Sequence, residues 1–322
     1  EPTPRYSAVL GEEAPISGRA RELLTIDRTY CPDAAIATLL RLHSVLGPYV
    51  LLTEYVWMAR VLPLIGSKAI KVLDCHDVFS TKKDKVIRFG IRDLWLDPQE
   101  EARRLALADL VVAIQKDEQE ILQQLVPDSR VITAGIDFDP RGEPQLPPAP
   151  RVLYIASGNQ LNVRGLHDFL RFAWPSIREQ VPEAEFLVAG AVSDALSEGQ
   201  PGVRAVGRVK DLDELYRSAR VVINPALAGT GFKIKTVEAL TYLRPIVTWP
   251  TGVDGLPQEL RELCDIVRDW YEFGPRVVKR LIDGKDVFIV DEDVDVTSDA
   301  EVLWDLVRGK AKDRFAPLMQ RL

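Results

Sequence analysis

Short runs of β-branched and other apolar residues alternate with stretches of helical period along almost the whole chain. This is the pattern of parallel sheets crossed by helices. Strands are predicted at 50–53, 70–74, 110–114 and 131–133, with helices near 32–45, 55–64, 98–108 and 116–125. The stretch DFDPRGEPQLPPAP, 137–150, breaks the rhythm: five prolines in fourteen residues and no apolar period make it a linker. The alternation then restarts, with strands at 152–156, 186–188, 205–206, 221–223, 246–248, 265–267 and 287–290. Helices are predicted at 163–180, 212–219, about 231–243 and 271–282, with a closing helix from 299 onward. The expected architecture is α/β: two doubly wound Rossmann-like domains, 1–140 and 151–300, and a terminal helix, 301–322, packing back on the first. A ligand cleft should lie between the carboxyl ends of the two sheets. A doubly wound lobe usually opens on an apolar strand and a glycine turn, of which residues 1–24 offer only a poor version. The first domain is therefore expected to be short and incomplete.

The segment VVINPALAGTGFKIKTVEALTYLRPIVTW, 221–249, carries the most chemistry. A buried strand runs into a turn of small residues, Ala228, Gly229, Thr230 and Gly231, and then into a helix bearing Lys233, Lys235 and Glu238. Glycines let the backbone approach a ligand, and a helix start offers free N–H groups to a phosphate. Lys235 and Glu238, three apart, share a helix face, while Ile234 and Val237 can face the core. A lysine at a diphosphate and a carboxylate accepting two ribose hydroxyls would together read a nucleotide diphosphate. The same two residues also fit a solvated pair on a surface helix.

This segment resembles the nucleotide-binding helix of family 4 glycosyltransferases of the GT-B fold, through Gly231, Phe232, Glu238, Ala239, Leu240, Pro245, Ile246 and Val247. That family has two glutamates with seven residues between them; Glu238 matches the second, and Thr230 occupies the place of the first. The resemblance implies that Glu238 holds the ribose, and it carries nucleotide binding further than donor-sugar recognition or turnover. RVLYIASGNQLNVRGLHDFLRFAWPSI, 151–177, is similar to the family's diphosphate-gripping strand, loop and helix. Gly158 is followed there by Asn159, and Arg164 with Gly165 stands in the Lys-Gly place, so Arg164 and Lys235 become the cations for the diphosphate. The stretch 202–225 is similar to a family segment with a Gly turn, where Gly207 and Arg208 fit either a border to the base or a structural turn, and WPTGVDGLP, 249–257, resembles a loop near the diphosphate. The resemblance spans roughly 45–280.

In the first domain KVLDCHDVFS, 71–80, ends a strand on His76 and Asp77. A histidine at a strand's carboxyl end is better placed for a site than His43 or His167, which sit within predicted helices. By resemblance, His76 contacts the donor sugar or the reacting phosphate, with Asp77 beside it. The following stretch, 82–95, interleaves Lys82, Lys83, Lys85, Arg88 and Arg92 with apolar and aromatic residues. As a loop at the cleft it would suit an anionic acceptor or peripheral contact with a membrane surface.

With 41 basic against 48 acidic residues, a net charge of −7, no nucleic-acid partner is expected. Three cysteines, Cys31, Cys75 and Cys264, fit neither a disulfide framework nor a zinc cluster. With no leader pattern at its start, the chain is expected in the cytoplasm or peripherally at the inner membrane face. The resemblance implies transfer of a sugar, with retention and without a metal or other cofactor, from a nucleotide-diphosphate sugar. The acceptor would be a glycan, a lipid-linked molecule or a small molecule. Two alternatives stay open: a sugar-nucleotide epimerase of the same architecture, and a non-catalytic nucleotide-sugar-binding or scaffold subunit.

Overall fold

The computed structural model describes residues 18–90, 93–135, 141, 147–197, 199–229 and 231–283. Helices α1 (Gly18–Tyr30) and α2 (Asp33–Leu46) lead into β1 (Val50–Glu54) and β2 (Ile70–Cys75). The first lobe continues through α3 (Lys82–Phe89), α4 (Pro98–Leu105), β3 (Leu110–Ala113), α5 (Lys116–Leu125) and β4 (Arg130–Thr133). The second lobe opens with β5 (Arg151–Ile155), α6 (Gln160–Phe172), α7 (Trp174–Gln180), β6 (Glu185–Ala189), β7 (Val203–Gly207) and α8 (Asp213–Ser218). It ends with β8 (Val221–Asn224), α9 (Ile234–Thr241), β9 (Ile246–Thr248), α10 (Gln258–Glu262), β10 (Asp265–Ile266) and α11 (Trp270–Asp283).

Among the described residues the strands form two parallel sheets, ordered β1-β2-β3-β4 and β10-β9-β8-β5-β6-β7. Parallel strands covered on both faces need apolar side chains at every position. Strand β3, LVVA, shows it, and β8, VVIN, departs from it only at its last residue, Asn224; all four residues of each are buried. In the second sheet β5 is flanked by β6 on one side and β8 on the other. Chain order reverses there, so the loops after β5 and β8 leave in opposite directions and open a crevice at the strands' carboxyl ends. Aromatic residues fill the core behind it, with Phe169 against Phe186 and Trp249 against Phe273.

The structure revises several elements. Residues 163–180 form two helices, because Pro175 has no N–H to continue the first ladder and the chain restarts at α7. Residues 56–64 wind as a 3₁₀ stretch containing Pro63, after Tyr55 at φ 64°. The basic stretch expected as a loop contains helix α3, and α1 has no counterpart among the predicted elements. Helix α9 begins only at Ile234, since Gly231 adopts φ 72° and Lys233 is not helical. Ile234 is 44% exposed while Val237 is buried, so only the latter joins the core. The strand at 287–290 and the closing helix lie outside the described residues.

Candidate functional site

A cavity of about 280 Å³ lies where the crevice faces the first lobe. The second lobe supplies Asn159, Leu161 and Asn162 from the loop and helix after β5. From the segment after β8 it supplies Asn224, Ala226, Ala228, Gly229, Phe232, Lys233, Ile234 and Lys235, with Thr251 from beyond β9. Asp77, Lys82 and Asp93 close it from the first lobe.

The first-lobe wall is held from below. Glu101 of α4 is fully buried and accepts the amides of Phe79 (2.8 Å) and Ser80 (2.7 Å), which fixes the turn after β2. Burial raises its carboxyl pKa, and the two amides oppose that. Lys82 donates to Asp77 at 2.9 Å and lies 4.3 Å from the centre of the Phe79 ring. The His76 ring stacks on Tyr55 with centroids 4.5 Å apart; its Nε2 is buried without a hydrogen bond and stands 3.7 Å from an Asp74 carboxylate oxygen.

Two lysines dominate the opposite wall. Lys233 is only 9% exposed, and its Nζ donates to the Gly231 carbonyl at 3.0 Å. Lys235 has its pKa lowered by burial and then by the Lys233 charge, with Glu238 opposing. Two like charges with restricted access to water are both relieved by an anion between them. Glu238, one turn further along α9, accepts the Tyr216 hydroxyl at 3.0 Å and does not line the cavity.

Of the residues singled out by sequence, Asp77, Asn159, Phe232, Lys233 and Lys235 thus share one cavity. Gly231 and His76 adjoin it: a Cβ on Gly231 would sit 2.7 Å from the His76 carbonyl oxygen and 3.0 Å from Asp77 Oδ1. Asn159 caps α6 by accepting the Asn162 N–H at 2.8 Å, with Gly158 just before it. Arg164 is about half exposed and 3.6 Å from Asp168, away from the lining. Gly207 ends β7, and Arg208 is 71% exposed and paired with Asp194 at 3.1 Å; neither lines the cavity. Thr230 lies outside the described residues.

Sequence reasoning passed over Gln115 and Glu118, and did not single out Asn224 and Thr251 within the segments it marked. Asn224 ends β8 beside the switch point and keeps a buried Oδ1 without a hydrogen bond; a polar residue closing a wholly apolar strand was the available signal. Glu118 reads locally as an ordinary acid in a helix's first turn, yet its Oε1 accepts the Gly231 N–H across the lobes at 3.0 Å. Burial and then the Asp77 charge push its carboxyl up to about 7. Among the described residues no group of three or more His, Cys, Asp or Glu side chains could hold a metal ion. No described helix is long and apolar enough to cross a membrane.

Two parallel α/β lobes meeting over such a cavity, with the switch point of the second lobe at its floor, constitute the GT-B glycosyltransferase fold. Residues 149–269, within the second lobe, match the family described as Glycosyl transferases group 1. Three solved structures share the architecture. The pneumococcal O-GlcNAc transferase GtfA, in complex with UDP and GlcNAc, has TM-score 0.56 and 10% identity over 76% of this chain. Anabaena HepE, with UDP and glucose, has TM-score 0.56 and 13% identity, covering 79% of this chain and 73% of its own. Sucrose-phosphate synthase from Thermosynechococcus elongatus has TM-score 0.56 and 16% identity, covering 94% and 80%. The chain spans about half, 52%, of the pneumococcal protein's length. No curated protein matches it in sequence.

Proposed function

We propose that this protein transfers a sugar from a nucleoside-diphosphate sugar to a glycan, lipid-linked or small-molecule acceptor, with retention of configuration. The observation that carries the reading is the buried Lys233 and half-buried Lys235 lining one cavity at the switch point. A diphosphate there would neutralise both ammonium groups, and charge developing on the departing phosphate oxygen would be stabilised by donors already in place. Asn159 and Thr251 add hydrogen-bonding side chains to the same wall. Glu238, one turn from Lys235, is the carboxylate for the ribose hydroxyls, and its bond from Tyr216 holds it.

The first lobe supplies the acceptor side. Asp77 and Lys82 face the lysines across the cavity, and His76 adjoins them with an unsatisfied ring nitrogen. The pneumococcal and Anabaena proteins, which share the fold, are in complex with UDP, and this supports a nucleotide as the ligand here. No metal is assigned to the reaction in this reading.

The test is a thermal-shift panel of UDP, GDP, dTDP and CMP, followed by donor hydrolysis and transfer with the nucleotide sugar of whichever base binds. A ligand at a hundred times its Kd should stabilise by about 2.7 kcal/mol. Binding without hydrolysis or transfer would point to a scaffold subunit, and recovery of an isomerised nucleotide sugar to an epimerase. No shift with any nucleotide would refute the reading.

A further inference from the structure

The start of α5 belongs to the first lobe, but two of its side chains reach the second. Glu118, 6% exposed, accepts the Gly231 N–H through Oε1. Gln115, 8% exposed and immediately before α5, presses on another loop: a Cβ on Gly255 would lie 2.2 Å from Gln115 Oε1. Both glycines have positive φ, 72° and 76°, so each loop is bent where the opposite lobe touches it. Gly231 is further crowded by the His76 carbonyl and the Asp77 carboxylate. Its own carbonyl receives Lys233 Nζ. Its N–H is thus fixed by the first lobe and its C=O by the lysine that faces the cavity.

We propose that Glu118 and Gln115 form a clasp that sets the width of the cleft by gripping the second lobe at Gly231 and Gly255, and that Glu118 is thereby a positioning residue for Lys233 and Lys235. The consequence for binding rests on the donor-site reading above; the clasp itself rests on the contacts. A buried amide that loses its acceptor is left unsatisfied, so the lobes part only if Gly231 moves to water. Releasing Gly231 frees the carbonyl that anchors Lys233, and with it the approach to α9. Glutamine can replace glutamate in this role because its carbonyl oxygen also accepts an N–H.

The test compares Glu118→Ala and Glu118→Gln in the full chain by amide hydrogen exchange and by calorimetric titration with UDP and GDP. In Glu118→Ala, exchange across 229–237 should accelerate about tenfold while β5 and β8 stay protected, and affinity for the nucleotide that binds the parent should fall about tenfold. Glu118→Gln should recover most of both, which a requirement for the carboxylate charge would not allow. Unchanged exchange at 229–237 in the alanine variant, or no recovery in the glutamine variant, overturns the clasp. Should Glu118→Ala fail to fold, Gln115→Ala should instead speed exchange across 251–257, and unchanged exchange there overturns it equally. If the parent binds neither nucleotide while exchange responds as stated, the donor-site reading falls and the clasp stands.

Discussion

Replacing Glu118 by glutamine should change how stability depends on pH, and the size of the change follows from the burial of that carboxyl. Its Oε1 accepts the Gly231 N–H, while Oε2 is buried with no hydrogen bond. Burial, then Asp77, push the pKa from the ordinary 4.5 up to about 7, with the Gly231 amide, Lys233 and Gln115 opposing. The folded chain then binds this proton more tightly than the unfolded chain. Below about pH 4.5 the carboxyl is protonated in both states and contributes nothing to the pH dependence. As pH rises from there the unfolded chain loses the proton first, and stability falls until the folded carboxyl has also ionised, above about pH 7. A gap of about 2.5 pH units at about 1.36 kcal/mol per unit is worth about 3 kcal/mol. Glutamine is neutral throughout and keeps an acceptor for Gly231, and the other titrating groups cancel in the comparison. The stability of Glu118→Gln minus that of the parent should therefore rise by about 3 kcal/mol between pH 4.5 and 8 and then level off. Urea unfolding followed by tryptophan fluorescence at several pH values measures it. A difference that is flat, or that falls with pH, would refute the account of Glu118 as a buried, partly uncompensated carboxyl.

Glu238→Ala should weaken nucleoside-diphosphate affinity by about 1 to 3 kcal/mol, the worth of hydrogen bonds to a charged group; unchanged calorimetric affinity in a folded variant removes its ribose role. His76→Ala should lower kcat strongly with nucleotide affinity nearly intact, because an interaction made mainly in the transition state shows in turnover. Equal transfer rates would make His76 an ordinary packed ring, and lost affinity would mean the donor sits elsewhere. Arg104, 4% exposed, pairs with Asp27 at 2.6 and 3.0 Å and with Glu100 at 2.7 Å. Arg104→Ala should cost about 3 to 5 kcal/mol in urea unfolding, since it strands Asp27 in the tie between α1 and α4, and a loss below about 1 kcal/mol would show the pair to be solvated.

The order of strands and helices was legible in the chain itself because each parallel strand covered on two faces must be apolar at every position, and each crossing helix must repeat its apolar face. VVIN and LVVA announce buried strands without any knowledge of their neighbours. Local chemistry was legible because the glycine turn, Lys233, Lys235 and Glu238 fall within a few residues of one another along the chain, and helical spacing groups Lys235 with Glu238. Tertiary structure decided what faces them. Pairing of Gly231 with Glu118 joins positions 113 residues apart, and no period in the sequence encodes such a contact. Ile234 illustrates the limit: helical spacing sent it to the core, but the turn at Gly231–Lys233 starts α9 late and leaves the side chain on the cavity wall. Likewise Arg164 and Lys235 looked equivalent as cations, yet only Lys235 lines the cavity, because a side chain's direction depends on how its helix packs. Periodicity determines which residues lie inside a lobe; packing two lobes together determines which of the remaining ones meet.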